Sequence, residues 1–217
     1  MSFPYFGRKA RIAALYPAPI YDTVVEPFAG SLSWSLHHRP KRVLAIEADE
    51  RVVQLWREIM EDPAGFGERP APVLGETTSD LFAKLCTYSE HSLTSESLKV
   101  TSRMLRDYRS LCRRAAVDGV WAASALDISH GSYLDLPDIE ATWFIDPPYQ
   151  RANRRGYREG ASGIDFDQLG EWCKSRRGLV IVCELEGADW LPFDPLVSVA
   201  THRGATSSEV IWLGGGK

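Results

Sequence analysis

Several stretches of the chain are apolar without alternation and too short for helices. Thr23-Val24-Val25, Arg42-Val43-Leu44-Ala45-Ile46, Thr142-Trp143-Phe144-Ile145 and Gly178-Leu179-Val180-Ile181-Val182-Cys183 each read as a strand buried on both faces. Between them the apolar residues return every three or four positions. A short helical pattern (Ile12, Ala13, Leu15) comes first, and helix-compatible sequence runs to His38. Arg51 to Met60 forms an amphipathic helix through Val52, Val53, Leu55, Trp56 and Ile59, with Asp49 as its cap. Ser79 to Val117 is helical in character, Trp121 to Ile128 reads as a short strand and its approach, and Asp165 caps a further helix. Leu196–Ala200 and Glu209–Leu213 form a closing pair of strands. Strand, turn and helix in alternation predict an α/β fold, its first crossover built like a nucleotide-binding unit.

The strand tips carry the chemistry. After Thr23-Val24-Val25 come Glu26-Pro27-Phe28-Ala29-Gly30-Ser31-Leu32, a turn in which Gly30 lets backbone approach a ligand. The turn lacks the G-x-G-x-x-G fingerprint, with Leu32 where a second glycine would stand, which speaks against a pyrophosphate cofactor. The second strand ends in Glu47, 17 residues after Gly30, where a carboxylate can accept from a ribose diol. His130-Gly131-Ser132-Tyr133 marks another tip. Asp146-Pro147-Pro148-Tyr149 closes the most buried run: each proline keeps the residue before it out of helix, and neither offers an N–H. The loop therefore presents a carboxylate, a carbonyl and an aromatic face, a set that suits an exocyclic amine on a planar base. Near the N-terminus, Tyr5-Phe6-Gly7-Arg8-Lys9 reads either as an anion-binding turn or as an aromatic plug on the core.

Residues 61 to about 75, with three prolines and three glycines, predict a long loop. In the helical stretch after it, Val100, Met104, Tyr108, Leu111 and Ala115 form an apolar face, and Arg103, Arg106, Arg109 and Arg113 form a guanidinium stripe beside it. A second basic cluster, Arg151, Arg154, Arg155 and Arg158, follows Tyr149. Two arginine groups flanking one loop suit phosphates on either side of a target base. The net charge of −4 argues against a protein that coats nucleic acid indiscriminately, so any such affinity rests on these local patches. Cys86, Cys112, Cys173 and Cys183 are scattered and lack a C-x-x-C pair, which predicts reduced core thiols and no metal site. No apolar run reaches membrane-span length and no signal peptide is evident, so a cytoplasmic protein without membrane partners is expected. Gly214-Gly215-Gly216-Lys217 reads as a frayed tail.

Asp146-Pro147-Pro148-Tyr149, preceded by Glu26-Pro27-Phe28-Ala29-Gly30 and by Tyr5-Phe6-Gly7-Arg8-Lys9, resembles the Dam-type DNA adenine-N6 methyltransferases. His202-Arg203-Gly204 and Ser208-Glu209-Val210-Ile211 resemble that family's last strands. The resemblance implies a Rossmann-like class I methyltransferase fold made of residues 1–60 and 121–217, with residues 61–120 as a small helical target-recognition insertion. It implies S-adenosylmethionine as cofactor, held by Tyr5, Lys9, Glu26, Phe28, Gly30, Glu47 and Asp146. Asp146 and the Pro147 carbonyl would hold the amino group of a flipped adenine, Tyr149 would stack on it, and the partner would be double-stranded DNA bound by a monomer. Arg8, Leu32 and Ser132 depart from the family pattern, where two glycines and an aspartate are usual. Two further readings go with these residues: the same chemistry on an RNA base or a protein amide, and a methyltransferase-fold DNA-binding protein without turnover.

Overall fold

A computed structural model describes residues 3–5, 7, 9–87, 94–151, 163–200 and 206–215. In chain order the elements are β1 (Thr23–Glu26), α1 (Ser33–His38), β2 (Arg42–Glu47), α2 (Glu50–Glu61), α3 (Pro63–Gly67), β3 (Thr77–Thr78), α4 (Leu81–Leu85) and β4 (Leu98–Lys99). They continue with α5 (Ser102–Ala125), β5 (Leu126–His130), β6 (Ala141–Ile145), α6 (Phe166–Lys174), β7 (Gly178–Leu185), β8 (Asp194–Ala200) and β9 (Thr206–Gly214). Seven strands form one sheet in the order β5-β2-β1-β6-β7-β9-β8. The first five run parallel, and β9 lies antiparallel between β7 and β8. That order, with one antiparallel strand slotted in beside the last parallel one, is the Rossmann-like methyltransferase fold. The chain reverses its direction of travel across the sheet between β1 and β6, and ligands of open α/β sheets bind at the carboxyl ends of such a switch point.

Each central strand is apolar on both sides because both sides are covered. Val24, Phe144 and Ile181 face a core shared with Trp34, Val53, Trp56 and Ile59. Val25, Trp143, Ile145, Val180 and Val182 face a second core with Leu169 and Trp172 of α6. The caps expected from sequence are in place: Asp49 accepts from Arg51 N–H at 3.1 Å and Asp165 from Gln168 N–H at 3.0 Å. Gly214 belongs to β9 rather than to a frayed tail, paired with Val180; the close crossing of Gly215 over the Gly178 carbonyl leaves no room for side chains there.

Residues 61–120 differ from expectation in three respects. The proline-rich loop contains α3, started by Pro63 in its first turn, capped by Asp62 accepting from Gly65 N–H at 2.9 Å, and anchored by buried Phe66. The helical stretch from Ser79 is broken by the two-residue strand β4 before α5 begins at Ser102. And α5 runs on to Ala125, where a strand approach was expected, because Ala122, Ala123 and Ala125 sustain a helix up to the extended Leu126. Phe66, Phe82, Tyr108 and Leu111 belong to the same core as α2, so the apolar interior of this region is continuous with that of the sheet. Arg39 reaches across to buried Asp118 of α5 at 2.5 Å.

α2 leaves the carboxyl end of β2 and α5 enters the amino end of β5, so both helices run back along the sheet, meeting where Gly119 abuts Ile59. From that contact α5 extends about 24 Å back to Arg103, whereas α2 extends only about 13 Å back to Glu50. α5 therefore reaches about 11 Å further back from that contact than α2 does. A Cβ built on Gly119 would lie 2.7 Å from both Cγ2 and the carbonyl oxygen of Ile59. Gly119→Ala should destabilise the protein by about 1–3 kcal/mol through overpacking against backbone. Urea unfolding checks this, and a change under about 0.5 kcal/mol would mean that α5 and α2 are not so close.

A candidate ligand site at the carboxyl edge of the sheet

The turn after β1 is fixed at one residue from three sides. Gly30 adopts φ 46°, its N–H donates to Glu47 Oε2 at 2.8 Å, and its carbonyl accepts from Trp56 Nε1 at 2.9 Å. Its Cα face lies under the Tyr5 ring, where an added Cβ would meet ring carbons at 2.9 Å. Glu47, at the tip of β2, also accepts from Asp49 N–H at 2.9 Å through Oε1. Burial pushes its carboxyl up from the usual range, and those two N–H groups pull it partway back. Glu26, the last residue of β1, accepts from Ser35 N–H in α1 at 3.2 Å; burial pushes its carboxyl up to about 8, against the Ser35 hydrogen bonds that lower it.

Leu32, at the position where the resemblance calls for glycine, has the backbone of one: φ 50°, ψ 35°. A branched residue in the left-handed region costs about 1 kcal/mol or more. Its side chain is buried in the core beside Trp34, which offsets that cost. Ser132 is likewise occupied. It caps the turn Tyr133–Asp135 by accepting from Leu134 N–H at 3.3 Å, while Asp135 reaches back to Ser132 N–H at 2.8 Å.

At the tip of β6 sits a polar cluster. The Lys9 ammonium, 3% exposed, lies 2.8 Å from Asp146 Oδ1, donates to the Gly7 carbonyl at 2.8 Å, and rests 4.7 Å above the Tyr149 ring. Burial alone would lower its pKa; Asp146 and Glu209 more than reverse this and hold it well above the usual lysine value. Asp146 is raised by burial, pulled down by Lys9, and keeps 21% of its side chain exposed. The Tyr149 hydroxyl donates to Glu209 Oε2 at 2.6 Å, and that oxygen also accepts from Tyr16 at 3.1 Å. Behind the loop, buried Glu184 accepts from Gln150 N–H at 2.6 Å and Trp190 Nε1 at 3.2 Å.

These tips enclose a cavity of about 280 Å³. Tyr5, Lys9, Glu26, Phe28, Gly30, Glu47 and Asp146 all line it, so the fold brings together every residue expected to hold a cofactor. Asp49, Gly131, Ser132, Tyr133, Trp34 and Pro148 are among the other residues of its wall. Pro147 and Tyr149 are not among its lining residues. The Tyr149 ring is buried against Lys9 rather than open to the cavity. Aromatic surfaces and four carboxylates (Glu26, Glu47, Asp49, Asp146) beside one lysine suit an amphipathic ligand that donates hydrogen bonds and carries positive charge.

Arg103, Arg106, Arg109 and Arg113 are all exposed on α5; of these, Arg113 lies 3.9 Å from Glu68. Arg151 packs over Gly187, 3.9 Å from Asp189. Arg154, Arg155 and Arg158 fall outside the described residues, as do Arg8 and His202-Arg203. Glu209 and Tyr16 had no role in the sequence reading. They are 193 residues apart and meet only through closure of the sheet, so no local pattern announces them.

No protein-family model and no curated protein matches this chain. Among solved structures, one from Haemophilus influenzae described as a candidate methylase aligns over 99% of this chain and 92% of its own, with 13% identity and a TM-score of 0.40. So weak a likeness bears on neither reaction nor cofactor; the strand order alone establishes the fold. Among the described residues, no helix is long and apolar enough to cross a membrane and no cluster of metal-ligating side chains occurs.

Glu26 generates a pH prediction. Its folded-state pKa of about 8 stands above the ordinary 4.5, so the stability it contributes is full below about 4.5 and is lost as pH rises through 8. Raised Glu47, Asp146 and Glu184 act in the same direction. Glu26→Gln should therefore flatten, without abolishing, the fall in melting temperature between pH 5 and about 9. An unchanged slope would mean that Glu26 is not buried as placed.

Proposed function

We propose that this chain is an S-adenosylmethionine-dependent methyltransferase that methylates the exocyclic N6 amine of adenine in double-stranded DNA. The observation that carries the reading is the convergence, at the switch point of a methyltransferase-fold sheet, of Glu47, Gly30 and Glu26 with Asp146 and Pro148 of the loop after β6 around one cavity. The residues fit the cofactor. Glu47 is placed to accept from ribose hydroxyls, Gly30 admits close backbone approach, and the aromatic wall suits a planar base. Asp146 favours a cationic centre. When bound, the cofactor supplies an electrophilic methyl group on a sulfonium.

The remaining steps belong to the protein. An amino group conjugated to a purine ring is a poor nucleophile, because its lone pair is delocalised. Asp146, kept ionised against its burial by Lys9, accepts one N–H, and the Pro147 carbonyl, on a residue with no N–H of its own, accepts the other. Both contacts draw the lone pair back onto nitrogen. A purine amine that gained a methyl group would have to lose a proton, and Asp146, within reach of the same amine, would take it. Holding the nitrogen in line is mainly orientation, which supplies about 7–11 kcal/mol. An adenine must leave the stack to reach such a loop, at a cost of a few kcal/mol.

The exposed arginines of α5 support a nucleic-acid partner. Arg103 and Arg106 stand exposed on the first turns of α5, and a guanidinium is suited to bidentate phosphate contact. Methyl transfer from labelled cofactor to unmethylated duplex DNA, with nucleoside analysis, tests the whole reading; label in N6-methyladenine is the expected result. Transfer to RNA or to a protein amide would replace the acceptor, and failure to bind the cofactor would replace the activity.

Asp146→Ala should abolish transfer, a loss of at least about 10³-fold, and should also weaken cofactor binding measured by calorimetry, because Asp146 lines the cavity and pairs with Lys9. Full activity in that variant would remove Asp146 from the chemistry. The double substitution Arg106→Ala with Arg109→Ala should weaken DNA binding and reduce the slope of log affinity against log salt by about 2. An unchanged slope would make the stripe a solvated face.

A further inference from the structure

Glu209 lies on β9, outside every motif that the proposed reaction uses, yet it anchors two of the site's aromatic residues. Its Oε2 accepts from Tyr149 at 2.6 Å and from Tyr16 at 3.1 Å. Tyr16 packs edge-on to Phe144 at 5.3 Å, and Phe144 lines the cavity. The Tyr149 ring in turn carries the Lys9 ammonium, and Lys9 carries Asp146. A chain of contacts thus runs from Tyr16 through Glu209, Tyr149 and Lys9 to Asp146. Of the five groups in this chain two, Glu209 and Asp146, are carboxylates, and one ammonium, Lys9, lies between them.

The strand places Glu209 between two spaces. On one side is the catalytic pair. On the other is a groove of about 410 Å³ formed where β8 slips register between Pro195 and Val197, bordered by Glu186, Phe193, Leu196 and Ser208 along with Glu209 itself. Bulges of this kind re-aim side chains beside functional sites. Without Glu209, the Tyr149 hydroxyl loses its 2.6 Å acceptor on β9.

We propose that Glu209 is a positioning residue for methyl transfer: by clamping the hydroxyls of Tyr149 and Tyr16 it holds the Tyr149 ring against Lys9 and fixes the charge balance at Asp146. This rests on the function proposed above for the Asp146 loop. The groups that face Asp146 are Lys9, Glu209, Tyr149, Tyr16, Cys183, Glu26 and Glu184. Among them Glu209 is a carboxylate tied to Tyr149, whose ring covers Lys9. Its charge opposes ionisation of Asp146.

The test uses Glu209→Gln, which keeps an acceptor and removes the charge, with Glu209→Ala and Tyr149→Phe as companions. Glu209→Gln should lower kcat by about 10–100-fold while the cofactor dissociation constant moves less than about threefold. With a negative charge gone, Asp146 ionises more readily, so the acid limb of the rate profile should move to lower pH. Tyr149→Phe should cost less in the Glu209→Ala background than in the wild type, because both changes cut the same bond. A wild-type kcat and acid limb in Glu209→Gln, or additive effects in the cycle, would overturn the proposal. So would a loss of cofactor affinity matching the loss of rate. A carboxyl-NMR titration of Asp146, needing no substrate, keeps the two readings apart. A midpoint lower in Glu209→Gln sustains the clamp even if the wild type transfers no methyl group to DNA. An unmoved midpoint sinks the clamp even if it does.

Discussion

The site depends on one buried cation. An ammonium with 3% exposure cannot persist without a counter-charge, since stripping water from an unpaired ion costs several kcal/mol. Lys9 meets the requirement with Asp146 at 2.8 Å, and the pair ties the N-terminal segment to the tip of β6. Because Gly7 turns with φ 75° and gives its carbonyl to the same ammonium, Tyr5 is delivered onto Gly30 on the far side of the cavity. One ion pair therefore determines where the cavity has its roof, and the fold supplies the rest of the walls as strand tips.

The turn after β1 shows how far a sequence can depart from a pattern while keeping its geometry. Gly30 is irreplaceable on three counts: its φ, the Tyr5 ring over its Cα, and its two backbone hydrogen bonds to Glu47 and Trp56. Leu32 keeps the left-handed backbone of a glycine but points its side chain into the core. The cost of the conformation is offset by burying an isobutyl group, which contributes about 1.5–3 kcal/mol. The departure thus strengthens the wall of the cavity rather than opening it. Ser132, by capping the turn Tyr133–Asp135, does the same for the wall opposite.

Buried parallel strands were legible because a strand covered on both faces must be apolar throughout, and their tips were legible because glycine, proline and carboxylates interrupt such runs abruptly. The seven residues assigned to cofactor binding followed from those tips and from the resemblance, and they share one cavity. What stayed hidden depended on long-range closure. Tyr149 looked like a free stacking surface in sequence, yet its hydroxyl is claimed by a glutamate 60 residues later and its face by Lys9. Local composition also misled: Pro63 and two glycines suggested loop where an Asp62 cap and buried Phe66 sustain a short helix. Trp121 to Ala125 was taken for a strand approach because apolar residues cluster there, although three alanines favour continuing the helix.

The length of α5 resolves what that helix is for. A crossover helix returning along a five-residue strand needs roughly 17 Å, or about 12 residues. α5 has 24. Its second half does the crossover work, with Asp118 held by Arg39 and Gly119 pressed on Ile59. Its first half buries Met104, Tyr108 and Leu111 against Phe82 and the rest of residues 61–100. The surplus length therefore carries that region together with the exposed arginine stripe. Because the two halves are one helix with one continuous core, the stripe is tied by a single rod to Gly119, to α2 and to the tip of β2, where Glu47 sits.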